Sequence, residues 1–166
     1  GYPNISVGAD RVFDFGTNQY INTNNTLTKF GITDEFSCSF WVNLDTLAGY
    51  ATPIKSVSSS GWTDGFVVYY NGNKWNFAVG WANPKVTSDT TVVANEWYHV
   101  VATFSSSGTL KLYINGSEEG TPVTGVTLAG LTTSPQFMVG ADGEMSNMQL
   151  WNKELVGSEV STLYNN

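Results

Sequence analysis

The chain alternates short apolar runs with polar turn residues along most of its length. The runs recur about every eight to twelve residues, a spacing typical of an all-β sandwich. No helical period competes with them before the last ten or so residues. The pattern predicts strands over residues 11–15, 19–23, 35–43, 53–57, 65–70, 74–80, 90–93, 97–104, 110–115, 126–128, 137–140 and 145–152.

The predicted strand 97–104, WYHVVATF, is apolar on both faces. A strand with one face in water would alternate with polar residues, so this strand is predicted to lie inside a two-layer β structure. Ser-Ser-Ser-Gly joins it to the strand TLKLYI, which ends at Asn115-Gly116, a tight-turn signal. Asn71-Gly72 is predicted to close a second hairpin.

Other stretches add detail to this architecture. In FSCSFWVN, residues 36, 38, 40 and 42 are predicted to face inward, which leaves Trp41 on the other face, either covered by a loop or open as a binding platform. In EMSNMQLW the apolar positions change register, which predicts a β-bulge. Near the end, Ser158 is predicted to cap a short helix with Val160 on its apolar stripe.

At 166 residues the chain is predicted to form one domain, residues 1–166, which buries roughly 70% of its unfolded surface. Its single cysteine, Cys38, excludes an internal disulfide and is predicted to be a buried, inert thiol. The chain contains no run of about 18 apolar residues, so no segment is predicted to span a membrane. The first residues show neither a signal pattern nor an initiator methionine, so we expect a mature product or an excised domain.

The net charge is −7, with seven basic residues against fourteen acidic ones. Phosphate neutralisation needs clustered lysine and arginine, so nucleic acid is excluded as a partner, and an anionic membrane surface is disfavoured. Only 13% of residues are charged, while Ser, Thr, Asn and Gly are abundant. This composition is common in secreted modules and virion proteins, and it predicts an extracellular, cell-surface or virion-surface location.

Four segments match known motifs in order along the chain. WYHVVATF…LKLYING resembles WxHVAxT…LxLYVDG, and FSCSFWVNLD resembles FTVSFWVKPD. GEMSNMQLWNKELVGSEVSTLY resembles GxIDDVRIYNRALSxxEIxxLY, and VFDFGTNQYI resembles LxFDGxNDYV. These motifs identify a resemblance to laminin-G-like domains of the concanavalin A-like lectin/glucanase superfamily, in its bacterial and viral branch. The resemblance implies an antiparallel jelly-roll β-sandwich, used for binding more often than for catalysis. It also implies that the C-terminal helix packs against the sandwich edge.

Because this superfamily includes glucanases, we searched the chain for a pair of catalytic carboxylates. Retaining glycosidases need two carboxylates about 5 Å apart, and the glucanase members carry an E-x-D-x-(x)-E strand pattern that this chain lacks. The acids at 34–35 and 118–119 are sequence neighbours that point to opposite faces or lie at turns. Asp142 and Glu144 adjoin glycines and are predicted to be solvated loop acids.

The only histidine, His99, matches the WxH position of the resemblance. A packed or hydrogen-bonded structural imidazole is predicted there rather than a general base. Cys38 is predicted to be buried, so it offers no accessible nucleophile. Together with the missing carboxylate pattern, these residues predict a protein that is not an enzyme.

Aromatic residues near turns supply the binding candidates, because sugar C–H faces stack on aromatic rings while Asn and Asp take the hydroxyl groups. Six tryptophans and eight tyrosines are present, and the segment Gly61–Lys85 concentrates them beside Asn, Asp and Gly. Trp75 and Trp81 also share a face at period two, so a place in the core remains open for both. The predicted ligand contacts are Trp62, Asp64, Tyr70, Trp75, Trp81 and Asn83.

The resemblance also implies a structural calcium site between the opening loop and the last strand. Calcium takes six to eight oxygen ligands, several of them carboxylates. The IDD of the motif is Met-Ser-Asn here, which removes two charges and weakens such a site. No cofactor is required; if calcium binds, its predicted ligands are Asp14, Asn18 and Asn147.

Two functions fit the sequence. The first is a non-catalytic, lectin-like module that binds a glycan or a surface polysaccharide. The second is a structural virion component, such as a phage capsid-decoration or fibre domain, with capsid or fibre proteins as partners. Low charge and a polar surface fit both.

Overall fold

The structure is a computed structural model that describes residues 4–6, 12–57, 64–80 and 84–166. A short 3-10 helix spans Leu27–Phe30, and the α-helix α1 spans Gly157–Asn165. The strands within these residues are β1 (Asn4–Ser6), β2 (Val12–Phe15), β3 (Ile21–Asn22), β4 (Phe36–Leu44), β5 (Ala51–Ser56), β6 (Phe66–Asn71), β7 (Lys74–Val79), β8 (Lys85–Thr87), β9 (Trp97–Phe104), β10 (Leu110–Ile114), β11 (Ser117–Val123), β12 (Gln136–Val139) and β13 (Gly143–Trp151).

The strands form two sheets that face each other across the core. The seven-stranded sheet has the order β1-β2-β13-β4-β9-β10-β11, and the six-stranded sheet has the order β3-β12-β5-β6-β7-β8. Neighbouring strands run antiparallel, as in the β4–β9 and β6–β7 pairs. The predicted antiparallel jelly-roll sandwich with a short C-terminal helix is confirmed.

Aromatic side chains from both sheets fill the space between the layers. The Phe36 ring on β4 lies 4.4 Å from Phe66 on the opposite sheet and 5.8 Å from Phe104, between ring centroids. All four positions predicted to face inward on β4 are completely buried. Burial of each large side chain stabilises the fold by about 1.5–3 kcal/mol, which explains why the alternation of β4 is so regular.

Strand β9 is apolar on both faces because something covers each of them. Its Val100 lies in the core, while Val101 on the opposite face packs in a second buried cluster with Val160 of α1. The prediction that β9 lies inside a layered structure is confirmed. The helix therefore contacts the edge strand β11, as predicted, and also covers part of the outer face of the seven-stranded sheet.

The N-cap residue of the helix is Val156, two positions before the predicted cap, Ser158. Val156 has an extended conformation, and the Glu159 carboxylate accepts its backbone N–H at 3.0 Å. Ser158 lies inside the first turn. The backbone N–H of the N-cap residue therefore bonds to a carboxylate in the first turn of the helix, and the predicted serine hydroxyl does not cap the helix.

The predicted bulge and both predicted hairpins are present. The register of β13 against β4 shifts between Ser146 and Gln149. Asn115 and Gly116 have positive φ angles of 49° and 82° and join β10 to β11, as a two-residue turn of this type requires. In the β6–β7 hairpin the two turn residues are Gly72 and Asn73, one position later than predicted.

Two predicted strands, 90–93 and 126–128, are wrong, and three strands were missed: β1, β8 and β11. Thr90 gives its backbone N–H to the Glu119 carboxylate at 2.8 Å, and the segment 90–93 forms no strand. The fully described segment 124–135 contains no strand either. All three missed strands lie at sheet edges, and the polar residues of β11 carry no apolar alternation.

Candidate functional site

Several connections leave the sandwich at the same end. Ser56 is paired with Phe66, and Phe66 with Val79, so the β5–β6 and β7–β8 connections begin side by side. Phe36 is paired with Phe104, which places the β9–β10 turn at this end as well. We call this end the rim; its described residues are Asp64, Gly65, Gly80, Pro84 and the segments 105–109 and 124–131.

Backbone hydrogen bonds tie the rim segments together. The Gly65 N–H donates to the Ala129 carbonyl at 2.7 Å, and the Gly80 N–H donates to the Gly65 carbonyl at 2.8 Å. Gly65 has a φ of 71°, and a Cβ at this position would lie 1.6 Å from the Ser56 carbonyl oxygen. Only glycine fits this close approach, so the exits of both loops are fixed relative to the segment 124–131.

A groove of about 400 Å³ opens in the rim beside this segment. Phe104 and Leu128 supply apolar wall, and the Thr33 hydroxyl donates to the Asp34 carboxylate at 2.9 Å. Hydroxyl groups and one carboxylate in a partly apolar groove suit a neutral polar ligand. The groove is lined by Thr33, Asp34, Phe104, Ser106, Ser107, Gly108, Gly125, Val126, Thr127 and Leu128.

The structure separates the predicted ligand contacts. Asp64 lies at the rim, half-buried. Tyr70 and Trp75 are 2% and 0% exposed in the core, at the other end of the β6–β7 hairpin, where no ligand from solvent reaches their rings. We therefore leave both out of the site. Trp62, Trp81 and Asn83 lie outside the described residues. Trp62 belongs to the connection that ends at Asp64, and Trp81 and Asn83 belong to the connection that follows Gly80.

The groove residues were missed at the sequence level. Ser106 and Ser107 belong to a run of serines that was interpreted only as a loop. The segment 126–128 was assigned to a strand, whereas Val126 donates its N–H to the Gly108 carbonyl at 3.0 Å and lines the groove. The sequence signal that could have indicated this contact is Gly108. It has a φ of 78° and lies too close to the Val126 carbonyl for any side chain, so glycine is required there.

Trp41 is covered, which resolves the two alternatives left open for it. Its ring lies 5.7 Å from Tyr164 in a stacked arrangement and 5.1 Å from His99. The cover is helix α1 rather than a loop. Because the helix occupies this face, Trp41 offers no open platform for a ligand.

His99 and Cys38 are both structural, as predicted. His99 is 2% exposed, and its Nε2 lies 2.9 Å from the Ser39 hydroxyl. This spacing resembles a nucleophile–base pair, but both residues are buried beneath Trp41 and α1. Burial lowers the pKa of His99 from 6.5 to about 4 and raises that of Cys38 to about 12. Neither group is accessible, and the Cys38 thiol stays protonated at neutral pH.

Asp142 and Glu144, two residues apart in sequence, do not form a glycosidase pair. Asp142 accepts the Thr17 hydroxyl at 2.6 Å, as expected for a loop acid. Glu144 lies on strand β13 rather than in a loop, 3.4 Å from the Asn43 amide, so its predicted position was wrong. Both carboxylates are engaged with polar neighbours instead of facing each other across an open cleft.

The predicted calcium ligands come from three different places in the fold. Asp14 is directly opposite Glu144 on β13, and Asn147 lies three residues further along β13, within its bulge. Asn18 is in the turn after β2. Among the described residues, no three His, Cys, Asp or Glu side chains form a group that could hold a metal. Calcium binding by Asp14, Asn18 and Asn147 therefore stays a prediction, which a calcium titration of thermal unfolding would test.

Comparisons with known proteins agree with this architecture. A family model described as the concanavalin A-like lectin/glucanases superfamily matches residues 15–161. Among curated proteins, none matches the chain. The longest helix in the described part of the chain has nine residues, and none there is long and apolar enough to cross a membrane.

Solved structures with similar folds include toxin domains and a pentraxin. The receptor binding domain of a botulinum neurotoxin C/D mosaic serotype has a TM-score of 0.76 at 18% identity, over 98% of this chain and 44% of its own. Another similar structure was described as showing that cell entry of botulinum neurotoxin type C is dependent upon interaction with two ganglioside molecules. It has a TM-score of 0.73 at 18% identity, over 99% of this chain and 45% of its own. A heptameric SAP-like pentraxin from Limulus polyphemus has a TM-score of 0.72 at 16% identity, over 96% and 84%. The chain spans less than half of the toxin domains, and these likenesses show the fold.

Proposed function

The chain belongs to the concanavalin A-like lectin/glucanases superfamily, and from this premise we propose that it is a non-catalytic carbohydrate-binding module that uses its rim. Its structural neighbours are binding domains and a pentraxin rather than enzymes. One of them was described as showing that toxin cell entry is dependent upon interaction with two ganglioside molecules, and gangliosides carry glycans. An extracellular or cell-surface location belongs to the same proposal.

One observation carries the proposal: the segment that continues from the groove contacts Asp64 and Gly65, the described residues that directly follow the Trp62 segment in the chain. The Gly65 N–H bonds to Ala129, and a Cβ added at Gly130 would lie only 2.6 Å from Cβ of Asp64. The segment that lines the groove therefore packs against the residue at which the Trp62 loop ends. The Trp81–Asn83 connection starts one residue beyond Gly80, which is bonded to Gly65.

This arrangement matches what a sugar requires. Ser, Thr and Asp side chains in the groove hydrogen-bond to hydroxyl groups, and aromatic rings at a loop offer a surface for the C–H face of a pyranose. Loops on a rigid sandwich can carry such groups without disturbing the core. Specificity would then come from the rim, and stability from the two sheets.

A glycan array tests the proposal. The intact protein is expected to bind at least one class of glycan and to release no new reducing ends from it, because the chain lacks the E-x-D-x-(x)-E carboxylate pattern of the glucanase members. A silent array across neutral and charged glycans would contradict the proposal. A silent array together with docking onto capsid or fibre proteins would instead support the virion-component hypothesis.

A further inference from the structure

The last turn of helix α1 covers a part of the seven-stranded sheet that is both aromatic and polar. The Tyr164 ring is stacked 5.7 Å from Trp41 and 5.9 Å from His99, between ring centroids. Beside these rings, the Ser39 hydroxyl lies 2.9 Å from Nε2 of His99. Water can hydrate a hydroxyl and an imidazole, so uncovering this part of the sheet costs less free energy than uncovering an apolar core.

The covering helix leaves one nitrogen of His99 without a hydrogen bond. Nδ1 of His99 is buried and has no partner among the described residues. A polar atom that loses water and gains no partner is destabilised by its burial. In a state with the helix detached, water can bond to this nitrogen. The arrangement at His99 therefore favours opening of the helix.

The connection before the helix is held more firmly than the end of the helix. The Ser37 hydroxyl donates to the Lys153 carbonyl and accepts the Leu155 N–H, both at 2.8 Å. The side-chain hydrogen bonds of Thr162 and Asn165 are made within the helix. In the part of the chain that the structure describes, no hydrogen bond joins the last turn to the sheets. The helix can therefore move about its connection.

The apolar contacts of the helix are few. Val160 is its one buried residue and packs in the second cluster with Val101 and Leu155, while Tyr164 is 37% exposed. With nine residues, the helix is shorter than the roughly 12–15 residues at which an isolated helix is marginally stable. Once detached it would lose helical structure and gain chain entropy. Opening of this chain end therefore requires less free energy than unfolding of the two sheets.

We propose that α1 is a lid that opens about its connection while both sheets stay folded, and that it controls access to Trp41 and His99. The closed state is the major population. Tyr164 occupies the stacking position on Trp41, so another ring reaches this tryptophan only in the open state. The lid lies on the outer face of the seven-stranded sheet, and the inference does not depend on the proposed function of the rim.

Chemical modification of the intact protein at neutral pH tests the lid, because the chain has one histidine and one cysteine. His99 lies under the helix, whereas Cys38 is completely buried on the core face of the same sheet. Diethyl pyrocarbonate labels the imidazole, iodoacetamide labels the thiol, and peptide mass mapping identifies both products. Each rate is divided by the rate in protein unfolded with guanidinium chloride. We expect folding to protect Cys38 at least about tenfold more strongly than His99.

Two variants identify the opening that each label reports. Val68→Ala removes a fully buried contact of the six-stranded sheet, so it should speed Cys38 labelling about tenfold and leave His99 labelling unchanged. Val160→Ala weakens the packing of the helix without touching either labelled side chain. It destabilises the closed state relative to both the open and the unfolded state, so it should speed labelling of both residues.

Three results would overturn the inference. The first is equal protection of His99 and Cys38 in the parent protein. The second is faster labelling of His99 in Val68→Ala, which would show that the imidazole is exposed only when the sandwich unfolds. The third is unchanged His99 labelling in Val160→Ala, which would show that the reagent reaches the imidazole without movement of the helix.

Discussion

Replacing Trp75 with alanine is expected to lower the free energy of unfolding by about 4 kcal/mol, because it opens a large cavity in the core. The indole is fully buried, and its ring meets Tyr70 at 6.0 Å and Tyr98 at 6.3 Å in edge-to-face arrangements. Chemical denaturation measures the loss. It would remove a large share of the stability of an ordinary domain, about 5–15 kcal/mol in total.

Trp75→Phe is the matched control for this experiment. The Trp75 indole N–H is buried and has no hydrogen-bond partner among the described residues. Phenylalanine removes that donor and keeps most of the apolar volume, so the cost should be about 1.5 kcal/mol or less. If Trp75→Ala instead left stability unchanged and weakened glycan binding, Trp75 would belong to the binding site and its assignment to the core would fail.

Lowering the pH from 6.5 to 4 is expected to remove roughly 3 kcal/mol of stability through His99 alone. Burial lowers its pKa from 6.5 to about 4, so the unfolded chain takes up a proton more readily than the folded one. The stabilisation from the neutral imidazole is fully present above pH 6.5. It is lost as the pH falls through the folded pKa, because protonation then favours the unfolded state.

His99→Gln separates this effect from the titration of the carboxylates. Glutamine keeps a polar group near the Ser39 hydroxyl but does not titrate in this range. Urea unfolding across the pH series should show a steeper loss of stability in the parent protein than in the variant. His99 is the only histidine, so its imidazole signals in NMR report its pKa without ambiguity. Parallel profiles, or a measured pKa near 6.5, would contradict the burial argument.

The fold could be predicted where side-chain alternation meets a buried surface. Strand β9 was predicted with its observed bounds, and the change of apolar register in β13 indicated its bulge. Strand β11 could not be found in this way because it is a polar edge strand defined by its backbone pairing with β10. The segment 90–93 has strand-forming residues, but the Glu119 side chain takes the N–H of Thr90. Such a contact between distant residues is invisible in local sequence.

The candidate site was harder to predict for a related reason. Aromatic residues mark both cores and sugar sites, and alternation alone cannot tell which face of β7 points inward. Trp75 turned out to face the core, while Tyr69, one position before Tyr70, faces outward. Trp41 and His99 meet Tyr164 only through the docking of α1, so no local pattern connects the three.

The most direct test of the central claim is a calorimetric titration of the best array ligand against a double variant, Trp62→Ala with Trp81→Ala. We expect the affinity to fall at least tenfold, since stacking on an aromatic ring contributes about 1 kcal/mol or more at each position. Trp97→Ala is the control, because Trp97 is 37% exposed at the opposite end of β9 from the rim. Unchanged affinity in the double variant, or an equal loss in the control, would contradict a binding site at the rim.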